Sequence, residues 1–124
     1  MRHQVGGRRL SRSTGARQAL FKSLLTELFR NERIETTEAK AKAVRSQAEK
    51  LISCARRGDL ASRRAVYAAL SSEDVAKKLV EEIAPDYKNR SGYTRLYKLG
   101  PRHGDNAPMV LLELVDVEKA DAKA

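Results

Sequence analysis

The chain has 124 residues, of which 25 are Lys or Arg and 16 are Asp or Glu, so its formal net charge at pH 7 is +9. This length suits one domain with a single modest core and is too short for two ordinary domains. The positive charge predicts a polyanionic partner, and nucleic acid is favoured over a membrane surface. No apolar run is long enough to cross a bilayer, and no apolar segment of the signal-peptide type follows the basic start. We therefore expect a cytoplasmic protein that does not insert into membranes.

The N-terminal segment is basic throughout, since every ionised side chain before Glu27 is Lys or Arg. It has few large apolar residues and contains adjacent glycines, so it cannot bury enough surface to order itself. We predict an extended basic arm over residues 1–13 that phosphates would order, with the glycines allowing close approach. The candidate RNA-binding residues of the arm and of the helix that follows are Arg2, His3, Gly6, Gly7, Arg8, Arg9, Arg12, Arg17 and Lys22. The alternatives are a solvated tail without a fixed partner and an organelle transit peptide, which the glycines disfavour.

The first predicted helix spans Ala16 to Arg30. Two ladders of apolar residues at spacing four cover about half of its circumference, which is typical of a helix packed against a core. Ser13 or Thr14 is the expected N-cap.

A second helix is expected after Thr36 or Thr37 and ends at Gly58, because apolar residues recur at spacings of three and four and glycine terminates helices. Its remaining surface mixes acidic and basic residues, including Arg45 and Glu49. We expect that surface to be a solvated face with weak ion pairs and not a binding surface.

Two shorter helices are predicted next. Asp59 is the expected cap of the third, and Ser71 or Ser72 opens the fourth. Pro85 is expected to end the fourth helix, because proline lacks the amide hydrogen that a helix interior requires.

A second group of basic residues accompanies the third helix. Arg63 and Arg64 follow Arg56 and Arg57 closely in the chain. A phosphate contact and an ordinary solvated surface are equally compatible with this pattern.

The periodicity then changes to alternation, which predicts a strand over Tyr93 to Leu99. Met109 to Val115 is a second run of strand formers, and the two are expected to pair antiparallel. Ile34 is a candidate for a short third strand. Residues 116–124, rich in Ala, Asp and Lys, are expected to be a disordered tail, which leaves residues 14–115 as one globular domain.

The connection between the two strands, Gly100 to Pro108, is longer than usual hairpin loops. We predict a loop without a settled shape of its own that contacts RNA through Arg102 and His103. On the preceding strand, Arg95 and Lys98 are further RNA-binding candidates. Tyr93 and Tyr97 are expected to share a face with Arg95 and are more typical of half-buried packing than of base stacking.

Catalysis has little support in the sequence. The only histidines, His3 and His103, lie in basic segments, and Cys54, the single cysteine, is expected to pack inertly on the flank of a helix. No residue trio has metal-ligand spacing, and no phosphate-loop or dinucleotide-binding glycine pattern occurs. We expect neither an enzyme nor a cofactor, metal or small-molecule substrate.

Taken in order, many segments of the chain resemble one family, the bacterial-type large-subunit ribosomal protein L17. The segments that carry the resemblance are Met1-Arg2-His3, Gly7-Arg8-Arg9-Leu10, Glu32 to Thr37 followed by Lys40-Ala41-Lys42, Ala48 to Ile52, Arg57-Gly58-Asp59, Ala84-Pro85, Gly92 to Arg95, Leu99 to Arg102, Gly104-Asp105 and Glu113 to Val115. The resemblance therefore covers Met1 to about Val115. Two departures are Ser91, where the family often has glycine, and His103, where arginine is common; both concern local contacts only.

The resemblance implies a structural component of the large ribosomal subunit that binds large-subunit ribosomal RNA near the nascent-chain exit, beside neighbouring ribosomal proteins. It also implies an α+β fold, which agrees with about four helices packed against a small, two- to three-stranded, largely antiparallel sheet with a basic N-terminal arm.

Two other functions use the same charge. A free-standing DNA-binding regulator or nucleoid protein requires a helix that reads the major groove, and neither basic helix has an obvious base-reading face. A protein-interaction scaffold would make the basic arm and loop incidental. Binding to duplex DNA, and partners that survive nuclease treatment, would respectively indicate these alternatives.

Overall fold

The computed structural model describes residues 13–87 and 92–115. Residues 1–12 of the predicted arm and the predicted tail, 116–124, lie outside the described residues. The described residues form a group of helices and one three-stranded antiparallel sheet, so the predicted α+β class is confirmed.

Helix α1 spans Thr14–Asn31. Ser13 precedes it in an extended conformation, and its hydroxyl accepts a hydrogen bond from the Ala16 amide at 3.3 Å, so one of the two expected caps is confirmed. The helix ends at Glu32, which adopts the left-handed conformation with φ 66°. This reversal leads directly into the first strand.

Strand β1 (Arg33–Thr37) and helix α2 (Glu38–Arg57) follow each other without a loop. Thr37 occupies the cap position of α2, although its side chain makes no capping hydrogen bond. Gly58 ends α2 with φ 71°, a left-handed conformation that glycine adopts without strain. The predicted end of the second helix is confirmed.

Helix α3 (Leu60–Ala69) begins at the predicted cap. The Asp59 carboxylate accepts a hydrogen bond from the Ser62 amide at 2.9 Å. Hydrogen bonds from Ser62 hold the pKa of Asp59 below its ordinary value. The cap is therefore charged at neutral pH, where it complements the exposed amides of the helix start.

The prediction that Pro85 ends the fourth helix is wrong. Helix α4 (Glu73–Lys78) continues through a π-helical turn (Leu79–Ile83) into a last helical turn, α5 (Ala84–Asp86). In the wide turn the Ala84 amide bonds to the Leu79 carbonyl, five residues back. Pro85 thereby occupies a first-turn position of α5, where no amide hydrogen is required.

Strands β2 (Thr94–Pro101) and β3 (Pro108–Leu114) form the predicted antiparallel hairpin. β1 pairs with the other edge of β3, with Ile34 opposite Leu112, which confirms the third strand and gives the order β1-β3-β2. The β2–β3 register shifts between Lys98 and Gly100, so Leu99 is the extra residue of a bulge.

The core lies between the helices and one face of this sheet. β3 supplies Val110, Leu112 and Leu114 to that face, and alternation directs its other side chains away from the helices. Among the described residues, the largest fully buried side chain is Phe29 of α1. Opposite β3, α2 presents mainly small and branched residues, which allow the helix to lie close to the strands: Ala41, Val44, Ala48, Ile52 and Ala55.

A buried hydroxyl joins α1 to the α3–α4 connection. Thr26 Oγ1 donates to the Lys22 carbonyl at 2.8 Å and accepts a hydrogen bond from the Ser71 amide at 3.0 Å. Thr26 is buried, so this hydroxyl satisfies a backbone group that a hydrocarbon side chain would leave without a partner.

Thr26→Val tests that link, because valine keeps the shape and removes the hydroxyl. We expect the free energy of unfolding to fall by about 1–3 kcal/mol, measured by urea denaturation followed by circular dichroism. Thr26→Ser keeps the hydroxyl and is the control, with a loss of about 0.8 kcal/mol for the missing methyl group. A Thr26→Val variant as stable as the natural protein would contradict the assignment.

Candidate nucleic-acid interface

Two of the predicted RNA-binding residues lie on α1. Arg17 is half-buried and Lys22 is exposed, and no acidic residue occurs in the first turn of the helix. Five positions on an α-helix correspond to about 140° of rotation, so the two cations point in different directions. The start of α1 is thus positive, but these residues do not form one continuous face. The other predicted residues of the arm lie outside the described residues.

The sequence predicted that the polar face of α2 is only solvated, but part of this face bonds to the residues at the start of β2. Arg45 Nε donates to Thr94 Oγ1 at 3.1 Å, and the same hydroxyl donates to Glu49 Oε1 at 3.0 Å. Further along α2, Ser53 and Arg56 both donate to the Tyr93 hydroxyl. The four helix residues are separated by four, four and three positions and therefore lie on one stripe. This stripe holds the start of β2 against α2.

The expectation that Tyr93 shares a face with Arg95 and Tyr97 is wrong, although Tyr93 does pack against its neighbours, as expected of a tyrosine on a strand. Tyr93 precedes β2 and is only 5% exposed. Its ring lies edge-to-face against Tyr87, with centroids 5.3 Å apart, and the Arg56 guanidinium carbon lies 5.7 Å from its centroid. The strand alternation applies only from Thr94 onward, because the contacts with α2 determine where Tyr93 points.

The face of the sheet opposite the helices carries Arg95 and Tyr97. Arg95 and Arg33 both lie opposite Glu113 on the central strand, so a row of positive, negative and positive side chains crosses the sheet. A hydrogen bond with Tyr97, and the nearby charge of Glu113, raise the pKa of Arg95. Arg95 is exposed and permanently charged, which suits a phosphate contact.

Lys98 does not join that row. It lies opposite Val110, whose side chain belongs to the helix-facing side of the sheet, yet Lys98 is exposed because it is near the end of an edge strand. The two cations predicted on β2 therefore project from opposite faces, and one RNA backbone segment could not lie flat across both.

The hairpin connection is shorter and better ordered than predicted. The strands remain paired to Pro101 and Pro108, which leaves only residues 102–107 between them. Backbone hydrogen bonds close this turn from Arg102 to Ala107 at 3.0 Å and from Asn106 to Arg102 at 3.2 Å. Gly104 and Asn106 adopt positive φ values of 106° and 54°. The expectation that the loop has no settled shape is wrong.

An ion pair within the turn also changes the role of Arg102. Its Nε and Nη2 donate to the two carboxylate oxygens of Asp105 at 2.9 and 2.7 Å, and Asp105 also accepts from the Ala107 amide at 3.1 Å. The hydrogen bonds from Arg102 hold the pKa of Asp105 far below its ordinary value and raise the pKa of Arg102. Arg102 and His103 are both exposed. The turn is therefore an ordered, solvent-exposed polar protrusion and not a flexible cationic loop.

The structure also shows where the two arginine doublets lie, for which the sequence analysis left both a phosphate contact and a solvated surface open. Arg56, Arg57 and Arg63 line one cavity, which is formed where α2 ends, α3 begins and the α4–α5 segment passes beneath. Arg64 does not line it. The only sequence signal for this site was the pair of arginine doublets around Gly58 and Asp59.

The remaining candidates for chemistry have structural roles. Cys54 is half-buried against the core, and its thiol donates to the Ser62 carbonyl at 3.6 Å. Across residues 13–87 and 92–115, no group of three His, Cys, Asp or Glu side chains is arranged to hold a metal ion. None of the helices in that same part of the chain has the length and apolar character needed to span a membrane.

The fold and charge define a small, basic α+β protein whose exposed arginines are distributed over helices, sheet and hairpin, a pattern typical of proteins that bind nucleic acid. Comparison with known proteins specifies the class. The profile of the family described as ribosomal protein L17 matches residues 20–115, and the chain belongs to this family. The resemblance inferred from the sequence motifs is thereby confirmed.

Proteins named large ribosomal subunit protein bL17 are close relatives. The protein of Pelobacter propionicus is 51% identical over 119 residues, covering 95% of this chain and 94% of its own. Those of Thermoanaerobacter sp. (strain X514) and Desulforamulus reducens are 52% and 54% identical over 112 residues, covering 90% of this chain and all of their own. The protein is thus a large-subunit ribosomal protein that takes part in translation as a structural component and not as an enzyme.

Asp105→Asn tests the ordered turn. Because the folded-state pKa of Asp105 is depressed, the pair with Arg102 is present at neutral pH and is lost only as the pH falls through that lowered value. In the natural protein, the carboxyl carbon of Asp105 should therefore titrate by NMR below the ordinary aspartate value of about 3.9. In the variant, the Asn106 and Ala107 amides should exchange with solvent faster. A titration midpoint at or above the ordinary value would show that the pair does not form.

Proposed function

We propose that the protein binds large-subunit ribosomal RNA through its basic N-terminal segment, the start of α1, the exposed arginine of β2 and the hairpin turn. The observation that carries this proposal is the absence of any carboxylate before Glu27, next to six basic residues. A segment of that composition has no internal means of neutralising its charge, and release of counterions from RNA favours its binding. Membership of a ribosomal protein family supports RNA as the polyanion.

The contacting residues divide into three kinds in this proposal. Arg2, His3, Gly6, Gly7, Arg8, Arg9 and Arg12 belong to an arm that follows the phosphate backbone and becomes ordered on it. Arg17, Lys22, Arg95 and Lys98 are carried by helices and strands, and they fix the orientation of the domain. Arg102 and His103 belong to a turn that is already shaped, so they contact the RNA as an ordered protrusion.

The proposal also states where on the ribosome the protein lies. The protein is a component of the cytoplasmic ribosome, placed near the nascent-chain exit beside neighbouring large-subunit ribosomal proteins, as the resemblance to its family suggests. Photo-crosslinking from an exposed position of α3, such as Tyr67, to neighbouring proteins or to an emerging nascent chain tests this placement. Cross-links confined to proteins of the subunit interface would overturn it.

Salt dependence measures the electrostatic share of binding. If the N-terminal segment neutralises about five phosphates, the logarithm of the affinity for protein-free large-subunit RNA should fall against the logarithm of salt concentration with a slope of roughly −4. Filter binding between 50 and 300 mM potassium chloride gives this slope. An affinity that hardly changes over this range would be incompatible with the proposal.

Arg8→Glu combined with Arg9→Glu tests the arm directly. We expect the affinity for the same RNA to fall on the order of 100-fold, because a hydrogen bond to a charged group contributes about 1.5 kcal/mol or more. Lys50→Glu combined with Lys77→Glu makes the same charge change at exposed positions of α2 and α4 and should weaken binding less. Helical circular dichroism should be unchanged in both variants. Unfolding of the arm variant would instead assign Arg8 and Arg9 a structural role.

A further inference from the structure

We infer that the cavity lined by Arg56, Arg57 and Arg63, here named the arginine cavity, receives a single unpaired nucleotide of large-subunit RNA. This inference rests on the proposed RNA-binding function and adds a contact that neither the arm nor the hairpin supplies. The cavity has a volume of about 680 Å³, which lies within the range of pockets that enclose small molecules. It is open to solvent, and none of the described residues that line it carries a carboxylate.

The walls of the cavity are cationic. Within residues 13–87 and 92–115, neither Arg57 nor Arg63 forms an ion pair with a carboxylate at 4 Å or less. Asp59 is near enough for the charge of Arg57 to contribute to its lowered pKa, but its carboxylate is engaged in capping α3. Two guanidinium groups therefore face the cavity with hydrogen-bond donors available to an anion.

The third arginine is held in place by the core. Arg56 donates to the hydroxyl of buried Tyr93, and its guanidinium lies near the Tyr93 ring. Tyr93 is itself packed against Tyr87. One wall of the cavity is thus positioned before any ligand binds, which lowers the entropic cost of binding.

The position of these arginines at the end of a helix does not explain the site by itself. Arg56 and Arg57 lie in the last turn of α2, where cations are stabilised by the helix dipole. That effect gives no reason for Arg63, which belongs to α3, to line the same cavity. It also gives no reason for a floor of apolar side chains.

The floor decides between possible occupants. Val80, Ala84 and Pro85 line the side of the cavity formed by the α4–α5 segment, here called its floor, and Pro85 lies there just after the π-helical turn. A free phosphate would need no apolar floor, and an RNA duplex presents its phosphates on a convex surface that cannot enter a cavity. An unpaired nucleotide combines a flat base, which suits the floor and a guanidinium plane, with a phosphate for the remaining arginines.

The arginine cavity is distant from the hairpin turn. α2 begins after Thr37, which lies opposite Met109 near the hairpin turn, and ends at Arg57 beside the cavity. A helix of 20 residues is about 30 Å long, so the hairpin turn and the cavity lie near opposite ends of the domain. Variants at one site should leave the other intact.

Arg57→Lys combined with Arg63→Lys is the principal test. Lysine keeps the positive charge but lacks the planar group that stacks on a base. We expect roughly tenfold weaker binding to protein-free large-subunit RNA in a filter assay. In chemical probing, protection of one unpaired nucleotide should be lost while the protections that depend on Arg8 and Arg9 persist. Arg64→Lys is the matched control, since Arg64 is the exposed neighbour of Arg63 outside the cavity, and it should change neither result.

Pro85→Trp provides a second variant that does not alter charge. Pro85 is exposed at the floor, and a large ring there fills the space for a base. The same nucleotide should lose its protection, with helical circular dichroism unchanged. A footprint unaltered in both the lysine and the tryptophan variants would overturn the inference.

The remaining outcomes distinguish a failure of the inference about the cavity from a failure of the proposed RNA-binding function. If the protections lost in the cavity variants fell within a double helix, the cavity would contact duplex RNA. If the footprint stayed unchanged and the variants instead lost cross-links to an acidic segment of a neighbouring ribosomal protein, the cavity would bind a peptide. Either result would overturn the inference that the cavity binds an unpaired nucleotide. If the natural protein itself gave no footprint, the proposed RNA-binding function would fail. If the arm variant weakened binding and the cavity variants did not, only the inference about the cavity would fail.

Discussion

The attachment of α2 to the start of β2 is the contact on which the rest of the molecule depends. On one side, small apolar residues of α2 pack on the inner face of the sheet. On another, a stripe of polar side chains bonds to Tyr93 and Thr94. Hydrocarbon packing alone would let a helix slide along a sheet, whereas directional hydrogen bonds to the side-chain hydroxyls of two consecutive residues fix its translation and rotation. The hairpin, carried by β2, and the arginine cavity, at the end of α2, are therefore held at fixed positions relative to each other.

Local signals were sufficient to predict much of the fold. Ser13, Gly58 and Asp59 each act within three or four residues along the chain, and the structure has the helix boundaries where these residues place them. Alternation predicted the first long strand, a run of strand formers predicted the second, and their closeness along the chain predicted the pairing. Pro85 was misjudged because its compatibility with a helix depends on the wide turn that directly precedes Ala84 and Pro85, and no feature of the proline itself reveals that turn.

The candidate site was harder to predict because its geometry depends on contacts between distant residues. The charged surface of α2 has the composition of a solvated face, and only its position beside β2 makes Arg45 and Glu49 partners of Thr94, which is more than 40 residues away. Tyr93 obeys the alternation of the strand in sequence but packs against the helix in space. Arg102 and Asp105 are three residues apart and could have been paired from the sequence, but the length of the connection favoured a loop without a settled shape.

The bulge at Leu99 has a consequence for the protein before it reaches the ribosome. β2 is an edge strand, and edge strands expose backbone groups to which a strand of another molecule can add. An extra residue at this point, followed by Gly100 and Pro101, interrupts the regular ladder and removes one donor, while Lys98 places a charge beside it. Pairing of two copies of the protein along β2 is thereby disfavoured before they are incorporated into the large subunit.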